Sequence, residues 1–395
     1  MKKFFMFAAM ASVALVSCVK NEPAMPVAQQ DEISFELPLV APAVKANVAE
    51  ITESTFTSDF KVWGYFTAAK QDGTFKAADL YMNGVDVGLA GGVWKAKSGK
   101  YYWPSNGYLT FVGYAPADAV ATSSVSDNGL KLSAYTVPAA ANQDLLVSKI
   151  SYDNVKSKGT GENNVAGNHG TDTYSDGAQI VFDHALSSIR FSVRAHESIP
   201  LTQDAAGEGN PYYTLTVKSI KVQNVNSVGT FDQPLTETPK NMQVVNAEGT
   251  NNGWSAQDNP IDYTALTGAS VVLTGTKQFV TPHAENPANP ADDMTDLILL
   301  PQPTTGINIE VVFDYKSSVM TGAAIEQTLT VPLAQNTAEA PNPSNAIANW
   351  YRGTRYTYNL IINLDEITFD PEVTAWVDGT TQDVNVDYEN AIGNN

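Results

Sequence analysis

A single cysteine, Cys18, stands in 395 residues, so no intrachain disulfide can form. The fold must hold by burial and backbone pairing alone, which argues against a small stapled toxin or growth factor. Basic residues are also scarce. Lys and Arg number 23 against 42 Asp and Glu, a formal charge of −19, and the first arginine is Arg190. So acidic a surface repels nucleic acid and anionic headgroups, and no nucleic-acid partner is expected. Beyond the first seventeen residues no apolar run reaches the length that a membrane-spanning helix needs.

The chemistry of catalysis is missing too. The four histidines, His169, His184, His196 and His283, share no metal-ligand spacing, and with one cysteine a structural zinc site is not expected. No Gly-x-Ser-x-Gly elbow, phosphate loop or dinucleotide fingerprint occurs. Acidic neighbours such as Asp292-Asp293 read as solvated carboxylates rather than a calcium site. A paired-carboxylate glycosidase leaves no sequence signature, and nothing points to one. His184 lies between apolar strand residues and reads as a packed, hydrogen-bonded core histidine. The chain reads as a non-enzyme, with no catalytic residue, cofactor or metal assigned.

What is present starts at the N-terminus. Met1-Lys2-Lys3 precedes an apolar stretch from Phe4 to Val16, which closes on Ser17-Cys18. A basic start, a short apolar run and a small-residue cleavage site make residues 1–17 a secretory signal. A cysteine just after the cut is the lipobox arrangement of bacterial lipoproteins, so cleavage between Ser17 and Cys18 and a diacylglycerol on the Cys18 thiol are expected. Residues 18–45 then combine a polar, proline-bearing tether with a first strand. Ile33, Phe35, Leu37 and Leu39 alternate onto one face, with Ser34 and Glu36 on the other. Pro38 fits only an edge or a point where pairing stops. The loose stretch after it holds Lys45, the one basic residue between Asn21 and Phe60. A trypsin-like protease would cut there, between Lys45 and Ala46.

The remainder reads as all-β: runs rich in Val, Ile, Thr, Tyr and Phe alternate and are separated by turn residues. Tyr212–Val217, Ile307–Phe313, Gln327–Leu333 and Tyr356–Ile362 are expected strands, and Asn83-Gly84, Asn128-Gly129 and Asn252-Gly253 are among the expected turns. Length suggests two domains, residues 46–178 and 179–395, divided after the Gly- and Asn-rich stretch 156–177. Of the six tryptophans, Trp63, Trp103 and Trp376 read as core, and Trp94 and Trp254, beside Gly91-Gly92 and Asn252-Gly253, as the exposed ones.

The ordered set of motifs resembles the fimbrillin family of Bacteroidales pilus subunits, including its Mfa-like branch. The residues that carry the resemblance begin with the lipobox at Cys18, Val62-Trp63-Gly64-Tyr65-Phe66, Tyr102-Trp103-Pro104 and Phe111 to Pro116. Asp144-Leu145-Leu146, Phe182 to Ile189, Leu299-Leu300-Pro301-Gln302, Trp350 to Tyr358 and Ile367 to Trp376 come after them in order. The resemblance implies two transthyretin-like β-sandwich domains in tandem, exported as an outer-membrane lipoprotein. It implies that an extracellular protease removes the first strand and that another subunit donates a strand to the vacated groove, building a fimbrium. The donor would be the tail 380–395, where Val384, Val386 and Tyr388 alternate; Val373, Ala375 and Val377 offer an earlier segment. The best-known family members are cut after arginine, whereas the corresponding position here is Lys45. An uncut subunit would keep its lipid and serve as an anchor or tip. The alternative class is a lipid-anchored glycan-binding protein or adhesin meeting a host surface or glycan receptor.

Overall fold

The computed structural model describes residues 32–36, 56, 58–71, 75–77, 79–104, 107–154, 177–233, 253–268, 270–280, 296–334, 347–364 and 367–375. In chain order its strands begin with β1 (Ser34–Glu36), β2 (Phe60–Thr67), β3 (Asp79–Ala90), β4 (Val93–Ala96), β5 (Tyr108–Ala115), β6 (Thr122–Ser126) and β7 (Gly129–Thr136). Next come β8 (Leu146–Ser148), β9 (Ser151–Asn154), β10 (Ala178–Gln179), β11 (Phe182–His184) and β12 (Ser187–Ala195). A single helical turn, α1 (Gln203–Ala206), is capped by the Thr202 hydroxyl. After it run β13 (Tyr213–Asp232), β14 (Trp254–Leu266), β15 (Val271–Val272), β16 (Gln278–Phe279) and β17 (Leu297–Leu299). The last are β18 (Asn308–Ser317), β19 (Ile325–Pro332), β20 (Thr354–Ile362) and β21 (Ile367–Ala375). The all-β expectation holds.

Alternation explains why these segments are strands. Along β18, Ile309, Val311 and Phe313 are buried, while the residues between them are half-buried. Along β13, Leu215, Val217, Ile220 and Val222 turn inward, with the phase shifted once by a bulge near Ser219. The turn expected at Asn128-Gly129 joins β6 to β7, with Gly129 at φ 86°. Asn83-Gly84 is not a turn. It lies inside β3, where Gly84 at φ 57° accompanies a slip of register against β2. A left-handed glycine can make a hairpin tip or a bulge, and the apolar residues on both sides of this one continue the strand. The hairpin tip falls instead at Gly91-Gly92, both left-handed, between β3 and β4.

The strands form three sheets. The first runs β10-β1-β4-β3-β2-β5-β8-β11, with β9 on β5; the second β16-β12-β20-β21, with β17 on β12; the third β19-β18-β13-β7-β6, with β14 and β15 on β13. Pairing crosses the 178/179 line in both directions. β7 joins the third sheet through β13, and β11 closes the first sheet on β8. One large core draws on all three sheets, including Trp63 and Tyr114, Ile189 and Tyr358, and Leu215 and Phe313. A second, smaller core belongs to the first sheet alone and holds Ile33, Phe35, Phe60, Val87, Phe111 and Phe182. The first sheet is therefore covered on both faces, which is why β5 is buried along almost its whole length.

A candidate strand-acceptor groove

The smaller core is organised around the strand β1. Ile33 and Phe35 are each 2% exposed, whereas Ser34 between them is half-buried. Phe35 meets Phe60 and Phe111 edge-to-face, with ring centroids 5.6 and 5.3 Å away. Behind them Phe56 stacks on Phe182 at 5.8 Å, and Trp94 closes one wall at 5.2 Å from Phe56 and 5.7 Å from Phe60. Burying Ile33 and Phe35 is worth roughly 1.5–3 kcal/mol each, and the edge-to-face pairs add about 0.5–1.5 kcal/mol apiece.

Backbone pairing fixes where β1 sits. It runs antiparallel to β4, with Ser34 opposite Lys95 and Phe35 opposite Trp94. On its other side it runs parallel to β10, with Phe35 opposite Ala178 and Glu36 opposite Gln179. The ladder begins before the strand itself, since the Ile33 amide donates to the Tyr101 carbonyl at 2.8 Å and Glu32 bridges Tyr102. β10 and β11 stand at opposite ends of the sheet yet are separated in sequence only by Ile180 and Val181. The three residue steps from Gln179 to Phe182 span at most about 11 Å. The sheet therefore curls back on itself around the aromatic core, and β1 is the stave between β4 and β10. Without β1, both neighbours would present unpaired backbone beside an apolar trough, the arrangement that accepts an added strand.

Of the expected groove residues, the structure places Ile33 and Phe35 in this core; Leu37 and Leu39 lie outside the described residues. Ser17, Cys18, Lys45, Ala46, Val384, Val386 and Tyr388 lie outside them as well. Val373 and Ala375 of the earlier alternating segment belong to β21, opposite Tyr356 and Thr354, and already serve its own sheet, while Val377 lies outside the described residues.

Neither tryptophan expected at the surface is exposed. Trp94 is a half-buried wall of the groove. Trp254 is 3% exposed and donates from Nε1 to the Ala185 carbonyl at 2.6 Å. Its ring fits over Gly229, where a Cβ would come within 3.0 Å of it, and lies beside Phe231 and Tyr135. The glycine next to Trp254 in sequence misleads; the glycine across the sheet makes the room. His184 is buried with Nδ1 2.7 Å from the Asp144 carboxylate, as a core histidine should be.

The groove's other walls, Phe56, Trp94, Ala178 and Phe182, carried no local signal of a shared site. Their apolar, strand-like settings are legible in sequence, but their meeting depends on pairing between distant segments. A buried charge cluster lies elsewhere. Asp296 is buried between β12 and β20, accepting from Arg190 Nε at 2.7 Å, from Arg355 Nε at 3.0 Å and from the Ser188 hydroxyl. Burial pushes its carboxyl up, and the Arg190 charge and the Ser188 hydrogen bond pull it back. This cluster clamps the parallel pair β12–β20 together.

A family model described as fimbrillin-like matches residues 49–376. Among solved structures, a fimbrial protein from Bacteroides vulgatus is 15% identical with a TM-score of 0.52, the match covering 88% of this chain and 99% of that one. The tip fimbrial protein Mfa3 from Porphyromonas gingivalis is 9% identical with a TM-score of 0.33, covering 88% and 100%. At such identity the first likeness speaks for the fold alone, and at its TM-score the second carries no argument. No curated protein matches the chain.

Proposed function

The chain belongs to the fimbrillin-like family, and from that premise we propose that it is a structural subunit of a cell-surface pilus, matured by proteolysis and polymerised by strand exchange. In this reading the signal 1–17 directs export, Cys18 carries the lipid that holds the subunit at the outer membrane, and a trypsin-like protease cuts between Lys45 and Ala46. Loss of residues up to 45 removes β1. The opened groove between β4 and β10 then takes the C-terminal tail, residues 380–395, of another subunit.

The observation that carries the reading is the seat of β1. It lies ahead of the isolated basic residue and plugs an aromatic core between two strands that come from far along the chain. A strand so placed can be exchanged for another of similar pattern while the rest of the sheet keeps its ladder. Its departure would leave an apolar trough and two open edges, which supplies a strong drive for refilling.

Limited trypsin treatment of the purified chain lacking its signal tests the proposal, read by intact mass and by a denaturing gel without boiling. Cleavage after Lys45 with a ladder of heat-sensitive multimers is expected. A chain cut there that stays monomeric would refute strand exchange. Resistance at Lys45 while other lysines are cut would refute the processing step and favour an uncut anchor or tip subunit.

A further inference from the structure

The occupant of the groove is matched to it at a defined register. Within β1 and the residue before it, Ile33-Ser34-Phe35-Glu36 read aliphatic, polar, aromatic, acidic, with Ile33 and Phe35 inward. The tail contains the same order in Val386-Asp387-Tyr388-Glu389. These four lie outside the described residues, and their sequence pattern suits the geometry of the seat. We infer that the tail of a second copy enters in the direction of β1, with Val386 at the place of Ile33 and Tyr388 at the place of Phe35. The inference rests on the strand-exchange reading above.

Two features of the seat select this register over its neighbours. The position of Phe35 is ringed by Phe60, Phe111 and the Trp94 wall, so an aromatic side chain fills it better than an aliphatic one. A register shifted by two would put Val386 there and leave a void. The position of Ser34 faces Lys95 across the β4 ladder. With Tyr388 seated, that position is taken by Asp387, and a cross-strand pair of opposite charge replaces a Ser–Lys pair. The opposite-charge pair favours this register for the incoming tail.

Similar tetrads occur elsewhere, and both are already engaged. Ile150-Ser151-Tyr152-Asp153 overlaps β9, which pairs with β5. Ile367-Thr368-Phe369-Asp370 opens β21, which pairs with β20 along its whole length. Neither offers an acid at the position facing Lys95.

Engineered cysteines read the register directly, because the trypsin-processed chain keeps no cysteine of its own. Lys95→Cys or Gln179→Cys on the acceptor side is combined in turn with Asn385→Cys, Asp387→Cys, Glu389→Cys or Thr368→Cys, and disulfide-linked multimers are scored after processing. Links from Lys95→Cys to Asp387→Cys and from Gln179→Cys to Glu389→Cys are expected. A link from Lys95→Cys to Asn385→Cys means a shift by two residues. One from Gln179→Cys to Asn385→Cys means a reversed strand, and one to Thr368→Cys means that β21 is the donor; each overturns the inference. A ladder with no cross-link in any pairing overturns it while leaving strand exchange standing. No ladder from the unmodified chain removes strand exchange and this register together. As a second readout, Lys95→Glu should slow multimer formation about 1.4- to fivefold, the range for a cross-strand charge pair, and Asp387→Lys in the same chain should restore it.

Discussion

Replacing Phe35 with alanine in the unprocessed chain should release β1 without unfolding the molecule. A buried Phe→Ala change costs about 3–5 kcal/mol. Burying Ile33 and Phe35 together contributes roughly 3–6 kcal/mol at the per-residue values above, so the substitution removes most of what the strand's described side chains contribute beyond its backbone bonds. The rest of the smaller core keeps its own contacts, Phe56 on Phe182 and Phe60 on Trp94, and the large core shared by the three sheets does not involve Phe35. Amide hydrogen exchange on the folded chain is the assay. Protection should fall in residues 32–36 and at the facing edges in Val93–Ala96 and Ala178–Gln179, with little change in β13 or β18. The denaturant midpoint of the main transition should move far less than for Phe111→Ala, which hollows the centre of β5. Trypsin should also reach Lys45 faster in the variant. If Phe35→Ala instead lowers the main transition by its full cost and exchange quickens uniformly, β1 is an integral strand and the exchangeable-plug reading is wrong.

The geometry sets three further outcomes. Asp296→Asn should cost about 3–5 kcal/mol, read as a lowered denaturant midpoint, because Arg190 and Arg355 lose the carboxylate they share in a buried site; Lys218→Ala, at an exposed pair with Asp314 and Glu326, should change nothing measurable. Gly113→Ala should be poorly tolerated, since a Cβ there would lie 2.4 Å from the Lys61 carbonyl oxygen and force β5 from β2; the expected loss is about 1–3 kcal/mol or more, measured by thermal unfolding. Burial pushes the phenols of Tyr65 and Tyr263 up to about 12, with Asp127 adding to the shift at Tyr65. A folded value above the unfolded one means that this stability is complete below about pH 10 and is lost as pH rises towards 12. An alkaline absorbance titration should therefore show phenols that ionise late, and a scheme in which all seventeen tyrosines titrate together near 10 in the folded chain would contradict it.

What the sequence disclosed, and what it concealed, divides along the range of the forces involved. Strand identity is local. The alternation of Ile309, Val311 and Phe313, or of Ile33 and Phe35, records that one side of each segment is packed, and it can be read without knowing what it packs against. Turn chemistry is only half local. Asn128-Gly129 and Asn83-Gly84 look alike, and both glycines are left-handed, but the first reverses the chain and the second bulges a continuing strand. Partner choice is not local at all. The parallel pair β12–β20, the passage of β7 into the third sheet and the seating of Trp254 over Gly229 each join segments whose own residues do not name their neighbours. The groove combines both kinds. That residues 33–35 form a strand with one greasy face was legible from the pattern; that the strand is the stave between β4 and β10 was not, because Trp94, Ala178 and Phe182 reach it only after long loops have closed. A plug has to satisfy both demands. Its inward residues must suit a pocket assembled from elsewhere, and its own pattern must be simple enough for a second segment to carry it, as the tail does with Val386-Asp387-Tyr388-Glu389.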